Sequence, residues 1–165
     1  MRGIRKLISL VCVTLALGAC EGTTFRSSVP VYPVRVVIDT RLGEFVHFQP
    51  SNLYSYLVVN KDGYFLNGRY IQDRVLTDAY GYGGVLAYIS MNGYDAYDLA
   101  CPYCASKGYK SSCEVDGFFA TCPACGEQYD LASGTAVPQK GIAQETLRRL
   151  NVIVSDSKIT ITQRQ

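Results

Sequence analysis

The chain has 165 residues, 48% of them hydrophobic and 18% charged, with a formal net charge of +2 at pH 7. Arg2, Arg5 and Lys6 lie in an N-terminal segment that reads as removed, so the remaining balance is −1 and excludes a nucleic-acid partner, which needs a clustered basic surface. That length suits one domain with a single core, and thirteen tyrosines, fifteen glycines and no tryptophan lean toward short strands and tight turns.

Residues 1–19 read as an export signal. The basic start is followed by a short apolar run over residues 7–17, too short to cross a bilayer as a mature helix. The closing Leu17-Gly18-Ala19-Cys20 resembles the lipobox of bacterial lipoproteins, which implies Cys20 as the lipid-modified N-terminus. The alternative is an ordinary signal peptide, or a short anchor that happens to contain Cys20. Several acyl chains would tie the protein to a membrane surface without spanning it. Glu21 follows the cysteine, and similarity to known sorting signals implies the periplasmic face of the outer membrane in the cell envelope. Residues 20–33 form a polar, proline-ended tether, leaving 34–165 as the folded domain.

Residues 34–38 are rich in β-branched side chains and predict a strand, and residues 44–48 predict a second after the Arg41-Leu42-Gly43 turn. A third spans 54–60, and Lys61-Asp62-Gly63 returns it to Tyr64-Phe65-Leu66 as a hairpin. Residues 83–89 begin another apolar strand, and Asn92-Gly93 turns into residues 94–99. Residues 109–115 and 118–121 flank Asp116-Gly117, a strong hairpin signal. Residues 128–131 predict a short strand, and residues 144–150 the one good helix, with Leu147 and Leu150 on one face. Residues 152–154 and 159–161 close the chain as a hairpin around Ser155-Asp156-Ser157. Many short strands at regular spacing predict a small antiparallel sandwich or barrel.

The strongest chemical signal is two Cys-x-x-Cys pairs, Cys101-Pro102-Tyr103-Cys104 and Cys122-Pro123-Ala124-Cys125-Gly126, with 17 residues between them. Each pair bends round an ion and supplies two sulfurs, so Cys101, Cys104, Cys122 and Cys125 suit one tetrahedral metal. Proline stiffens such a loop, and a glycine after the last cysteine permits a positive φ that turns backbone N–H groups onto the sulfurs. The first pair lacks that glycine. With Cys12 in the signal and Cys20 acylated, Cys113 is the odd one out, as a free buried thiol, a reserve ligand or half of a disulfide. In an oxidising compartment the pairs offer disulfides as the alternative to metal. Thiol–disulfide exchange needs a pair at a helix start, which proline-bearing loops between strands do not supply.

Other groups point away from catalysis. His47 is the sole histidine and falls in a predicted strand, and Asp95 and Asp98 are placed by nothing in the sequence, so no hydrolase or oxygenase set emerges. Gly81-x-Gly83-Gly84 precedes a strand with no Lys-Ser/Thr after it, and reads as a turn rather than a phosphate loop. Tyr94, Tyr97, Tyr109 and Tyr129 read as packing residues, and Tyr103, between two ligands, as part of an exposed docking face.

Residues 83–162 resemble the Rieske domain. That family's second loop reads Cys-Pro-x-His-Gly, two residues, an aromatic, Asp, then Gly shortly after. Cys122-Pro123-Ala124-Cys125-Gly126-Glu127-Gln128-Tyr129-Asp130 and Gly134 reproduce the frame, with Cys125 at the histidine position. Tyr97-Asp98-Leu99-Ala100-Cys101-Pro102-Tyr103 resembles the strand entering the first loop. The resemblance implies a mostly β, antiparallel sandwich or barrel with a small two-knuckle metal-binding subdomain at about residues 100–131. It departs at the first loop, where Tyr103 holds the histidine place and cysteine comes one position later. A His-ligated Rieske centre is thereby excluded. Three occupants of the four cysteines stay open: structural zinc, a single iron, or an all-Cys 2Fe–2S cluster. The first function expected is electron transfer with a redox partner protein, and the second a structural or binding lipoprotein domain held by zinc or disulfides, neither with independent catalytic activity.

Overall fold

The computed structural model describes residues 27–72 and 75–164, so the signal segment, Cys12, Cys20 and the start of the tether lie outside the described residues. Thirteen strands follow in chain order: β1 (Val34–Asp39), β2 (Tyr56–Asn60), β3 (Gly63–Leu66), β4 (Arg69–Ile71), β5 (Leu76–Tyr80), β6 (Val85–Ser90), β7 (Gly93–Asp98), β8 (Glu114–Val115), β9 (Phe119–Thr121), β10 (Gln128–Asp130), β11 (Val137–Lys140), β12 (Asn151–Ser155) and β13 (Lys158–Thr162). One short helix, α1 (Pro102–Ser106), interrupts them after β7, and a single 3-10 turn covers Gly43–His47. No helix among the described residues is long and apolar enough to cross a membrane.

The strands form three antiparallel sheets, ordered β12-β13-β1-β5, β4-β3-β2-β6-β7 and β11-β10-β9-β8. The mostly β, antiparallel architecture expected from the sequence is therefore present. The predicted hairpins at Lys61-Asp62-Gly63, Asn92-Gly93, Asp116-Gly117 and Ser155-Asp156-Ser157 all form. Each joins strands through glycine or aspartate at positions that tolerate a positive φ, as Gly63, Gly93, Gly117 and Asp156 do here.

β6 organises the molecule. All six of its residues are buried, because the sheet that contains it is covered on both faces. Val85, Ala87 and Ile89 enter one core with Val36, Ile38, Phe45, Leu57, Val59 and Ile161. Leu86 and Tyr88 enter a second, with Tyr97, Leu99, Tyr129, Leu131, Leu147 and the cysteines. Strand periodicity sends alternate residues to opposite faces, so a continuous apolar run is what a two-faced strand requires.

Two expected elements are absent. Residues 44–48 are not a strand: Phe45 and Phe48 are both buried, and their spacing of three closes a 3-10 turn through Phe48 N–H to the Phe45 carbonyl at 2.9 Å. Residues 144–150 are not a helix but an extended segment bridged at Arg149 to Tyr97. Leu147 N–H bonds the Ala136 carbonyl, Leu150 N–H bonds the Ala96 carbonyl, and the Arg148 carbonyl accepts from Asp98 N–H. Leu147 belongs to the second core and Leu150 to the first, so the pair shares no helical face. Strands β4, β5 and β11 were not legible as elements, being short, exposed or proline-bearing.

Candidate metal centre

The centre is built where β7 runs out. Asp98, the last residue of β7, is buried and accepts from three backbone N–H groups: Tyr82 at 2.7 Å, Gly83 at 2.8 Å and Ala100 at 2.9 Å. That carboxylate ties the Gly81–Gly84 turn to the approach of Cys101. Gly83 lies so close to this approach that a Cβ would fall 2.1 Å from the Ala100 nitrogen. The glycine motif is thus a packed turn that helps fix Cys101.

Cys101 then caps α1, with Pro102 at its first turn and Cys104 inside it. The first pair therefore sits at a helix start after all, contrary to the loop between strands expected, because Pro102 has no N–H to lose at that position. The second pair forms a tight turn between β9 and β10, where Gly126 N–H bonds the Cys122 carbonyl at 2.9 Å and Cys122 N–H bonds the Glu127 carbonyl at 2.8 Å. Gly126 takes φ +76°, the conformation its place after the last cysteine called for.

The four sulfurs of Cys101, Cys104, Cys122 and Cys125 lie within 4.8 Å of one another. Contacts between the pairs are tight: Cys101 Sγ to Cys125 Sγ is 3.6 Å, and Cys104 Sγ to Cys122 Sγ is 3.6 Å. Four sulfurs each about 2.3 Å from one ion stand about 3.8 Å apart in a tetrahedron, so the set suits a single ion. All five described cysteines are free thiols, and only Cys125 among the four is more than marginally accessible.

Polar groups converge on the sulfurs. The backbone N–H of Cys104 beside Cys101, and that of Glu127 beside Cys125, favour the thiolate form of each sulfur. The Ser111 hydroxyl lies 3.2 Å from Cys122 Sγ, and the Tyr129 hydroxyl 3.5 Å from Cys101 Sγ. The hydrogen bond from Cys113 lowers the Cys101 thiol to about 4. Burial instead pushes Cys104 up to about 11 and also raises Cys125, and Cys113 is raised by its bond to Cys101 and by burial. Four sulfurs gathered in an apolar volume resist ionising together unless a cation compensates them.

Sequence reasoning passed over the residues that support this centre. Glu127 is buried and accepts from Ile142 N–H at 2.7 Å and Ala143 N–H at 2.9 Å, clamping the second knuckle to the 141–143 loop. Asp95, which the sequence left unplaced, is buried away from the sulfurs against Ser90 at 2.6 Å and pairs with Arg149. A carboxylate next to a cysteine knuckle, as Glu127 is, was the available signal. Tyr103 is half-buried, packs against the cysteine core and has Lys107 over its ring. His47 is exposed on the 3-10 turn and is not part of the cysteine cluster. Cys20, the expected lipidation site, lies outside the described residues.

No protein-family model and no curated protein matches the sequence. Among solved structures, the chain is similar to the complex of reduced oxygenase and oxidized ferredoxin in carbazole 1,9a-dioxygenase, at 14% identity and TM-score 0.41, over 71% of this chain and 91% of that one. A ferredoxin from Sphingomonas yanoikuyae is 16% identical at TM-score 0.40, covering 70% of this chain and 94% of its own. The ferredoxin of carbazole 1,9a-dioxygenase from Nocardioides aromaticivorans is 13% identical at TM-score 0.41, covering 80% of this chain and 98% of its own.

Proposed function

We propose that the chain is a membrane-anchored, Rieske-like domain that holds a single iron ion in Cys101, Cys104, Cys122 and Cys125 and exchanges one electron with a partner protein. The observation that carries the reading is the four-sulfur cluster, drawn together within 4.8 Å. Support for one ion over a 2Fe–2S cluster comes from that compactness, since two bridged irons separate the sulfurs on opposite metals. Iron in four thiolates supplies a one-electron couple. The residues of this chain do the rest: N–H and O–H donors disperse thiolate charge, Tyr129 and Leu131 exclude water, and the less buried Cys125 marks the side open to a partner. The Rieske frame from Cys122 to Asp130 supports the fold-family part of the reading, and the lipobox-like Leu17-Gly18-Ala19-Cys20 supports an anchor at the periplasmic face of the outer membrane.

A structural zinc site is the second reading. It is favoured by the burial of Cys101, Cys104 and Cys122 inside the second apolar core, where an ion would pin α1 to the β9–β10 turn with no redox role. Metal analysis and the visible spectrum of the purified protein separate the two. One iron per chain, with colour lost reversibly on reduction, is expected. A colourless protein with one zinc replaces the first reading by the second, and a metal-free protein with both pairs oxidised removes both. Mass spectrometry of the mature N-terminus should find an acylated Cys20, and an unmodified N-terminus elsewhere would remove the anchor.

A further inference from the structure

The tether expected over residues 20–33 is bound to the domain from Ser28 onward. Ser28 N–H donates to the Glu145 carboxylate at 2.8 Å, and the Ser28 hydroxyl donates to the other oxygen of that carboxylate. Arg148 Nη1 donates to the Val29 carbonyl at 2.7 Å, Val29 is buried, and Gly81 N–H donates to the Pro33 carbonyl at 2.9 Å. This strap and residues 142–149 together wall an open cleft. Val31 and Ile142 line it while 65% and 73% exposed, and Tyr103 joins them. Arg148, Arg149 and Arg164 line it against one carboxylate, Glu145, and Lys107 stands over the Tyr103 ring. Arg149 is paired with Asp95 and Glu145 is engaged by Ser28. The face thus keeps a positive excess, although the chain from residue 20 onward carries −1 overall.

We propose that this face, presenting Val31, Tyr103, Ile142 and Arg164, rests on the anionic headgroups of the bilayer that carries the anchor. The inference rests on the acylated Cys20 proposed above. Cys20 and Ser28 are eight residues apart, a reach of at most about 28 Å. A domain of this size has a radius of gyration of about 14 Å, so passing round to its far side takes about 55 Å. The leash therefore brings only the strapped side to the lipid. Exposed aliphatic groups beside Arg, Lys and Tyr suit that boundary, where apolar tips enter the headgroup layer and cations meet phosphates. Both cysteine pairs adjoin the face: Tyr103 lies between Cys101 and Cys104, and Ile142 N–H donates to Glu127, two residues past Cys125. Cys125 itself does not line the cleft, so the four-cysteine centre is held close to the lipid with its more accessible sulfur left for a partner.

The test uses the full-length protein purified from membranes and reconstituted on vesicles of phosphatidylethanolamine and phosphatidylglycerol with brominated acyl chains. The chain has no tryptophan, so one introduced indole reports alone. I142W and V31W place it on the face, and M91W places it at the β6–β7 turn, at the other end of β7 and about 20 Å away. Emission from I142W and V31W should move to shorter wavelength and be quenched severalfold more than that of M91W. E145A, which releases Ser28, should bring I142W quenching down toward that of M91W while the protein still floats with the vesicles. Equal quenching at the three positions in protein that floats would overturn the oriented face and leave the anchor standing. A blue shift without bromine quenching would overturn it in favour of a protein partner or a second copy, and undiminished quenching in E145A would overturn the strap as its cause. Protein that does not float with the vesicles would remove the anchor and the inference together.

Discussion

Replacing Gly83 by alanine probes how firmly the fold holds the first cysteine. The new Cβ would lie 2.1 Å from the Ala100 nitrogen, 2.5 Å from its Cα and 2.8 Å from its Cβ. Ordinary contact begins near 3.5 Å, so the two segments must separate by about 1.4 Å. Neither side can yield by turning a side chain. Gly83 N–H is held by Asp98, Leu99 N–H bonds the Gly84 carbonyl at 2.9 Å, and Cys101 N–H is bonded to Ser111. Overpacking costs about 1–3 kcal/mol where side chains adjust, so a backbone clash belongs at the top of that range, about 3 kcal/mol. For a chain of this size that lowers Tm by about 6–12 °C. G117A serves as the comparison, because Gly117 has φ +109° and nothing within 4 Å of its would-be Cβ, leaving a conformational cost of about 1–2 kcal/mol. Thermal melts by circular dichroism, with Co2+ binding measured alongside, should rank G83A below G117A in both. If G83A melts at or above G117A, the close approach does not hold Cys101 in place.

Four further outcomes follow from the geometry. Tyr97 is buried with no hydrogen-bond partner for its hydroxyl among the described residues, so Y97F should raise stability by about 1 kcal/mol in urea unfolding, and a loss would reveal an unseen partner. D98A strands three backbone N–H groups, that of Ala100 fully buried, and should cost about 3 kcal/mol in the same assay, against under 1 for alanine at exposed Asp62. Chelation should lower Tm and open the thiols to alkylation, with Cys125 reacting before the buried Cys101, Cys104, Cys122 and Cys113; equal rates at all five would contradict the packing. Asp39 is lowered from an ordinary 3.8 to about 2 by the Arg41 side chain and backbone N–H. A depressed carboxylate contributes stability above its ordinary value, so that contribution is lost as pH falls from about 4 through about 2. A carboxyl NMR titration of R41A should move Asp39 up toward 3.8, and an unchanged midpoint would exclude the Arg41 side chain as the cause.

What the sequence made legible is what local chemistry decides. The hairpins were readable because Asn92-Gly93 and Asp116-Gly117 specify their turns within a few residues. The convergence of four cysteines was readable because each pair is a local device, with Pro after the first cysteine of both and Gly after the last of the second. Misreadings arose where tertiary partners decided. The spacing of Leu147 and Leu150 imitates a helix face, yet the two side chains enter different cores while their backbone bonds cross to β7 and Ala136. Phe45 and Phe48 imitate a strand's apolar content, but a separation of three fits a turn and not an alternation. Asp98 and Glu127 were invisible as organisers because a carboxylate's partners here are backbone N–H groups brought in from distant loops, which composition does not encode.

β6 has a consequence for how the protein comes apart. Because one strand lines both cores, each core can loosen while the strand stays bound through the other. Stripping the cysteine side of its cross-link should therefore release amide protons of β8–β11 early in hydrogen exchange, while β1, β2 and β13 hold out to global unfolding. The two halves would then exchange on separate clocks, with β6 keeping time with the slower.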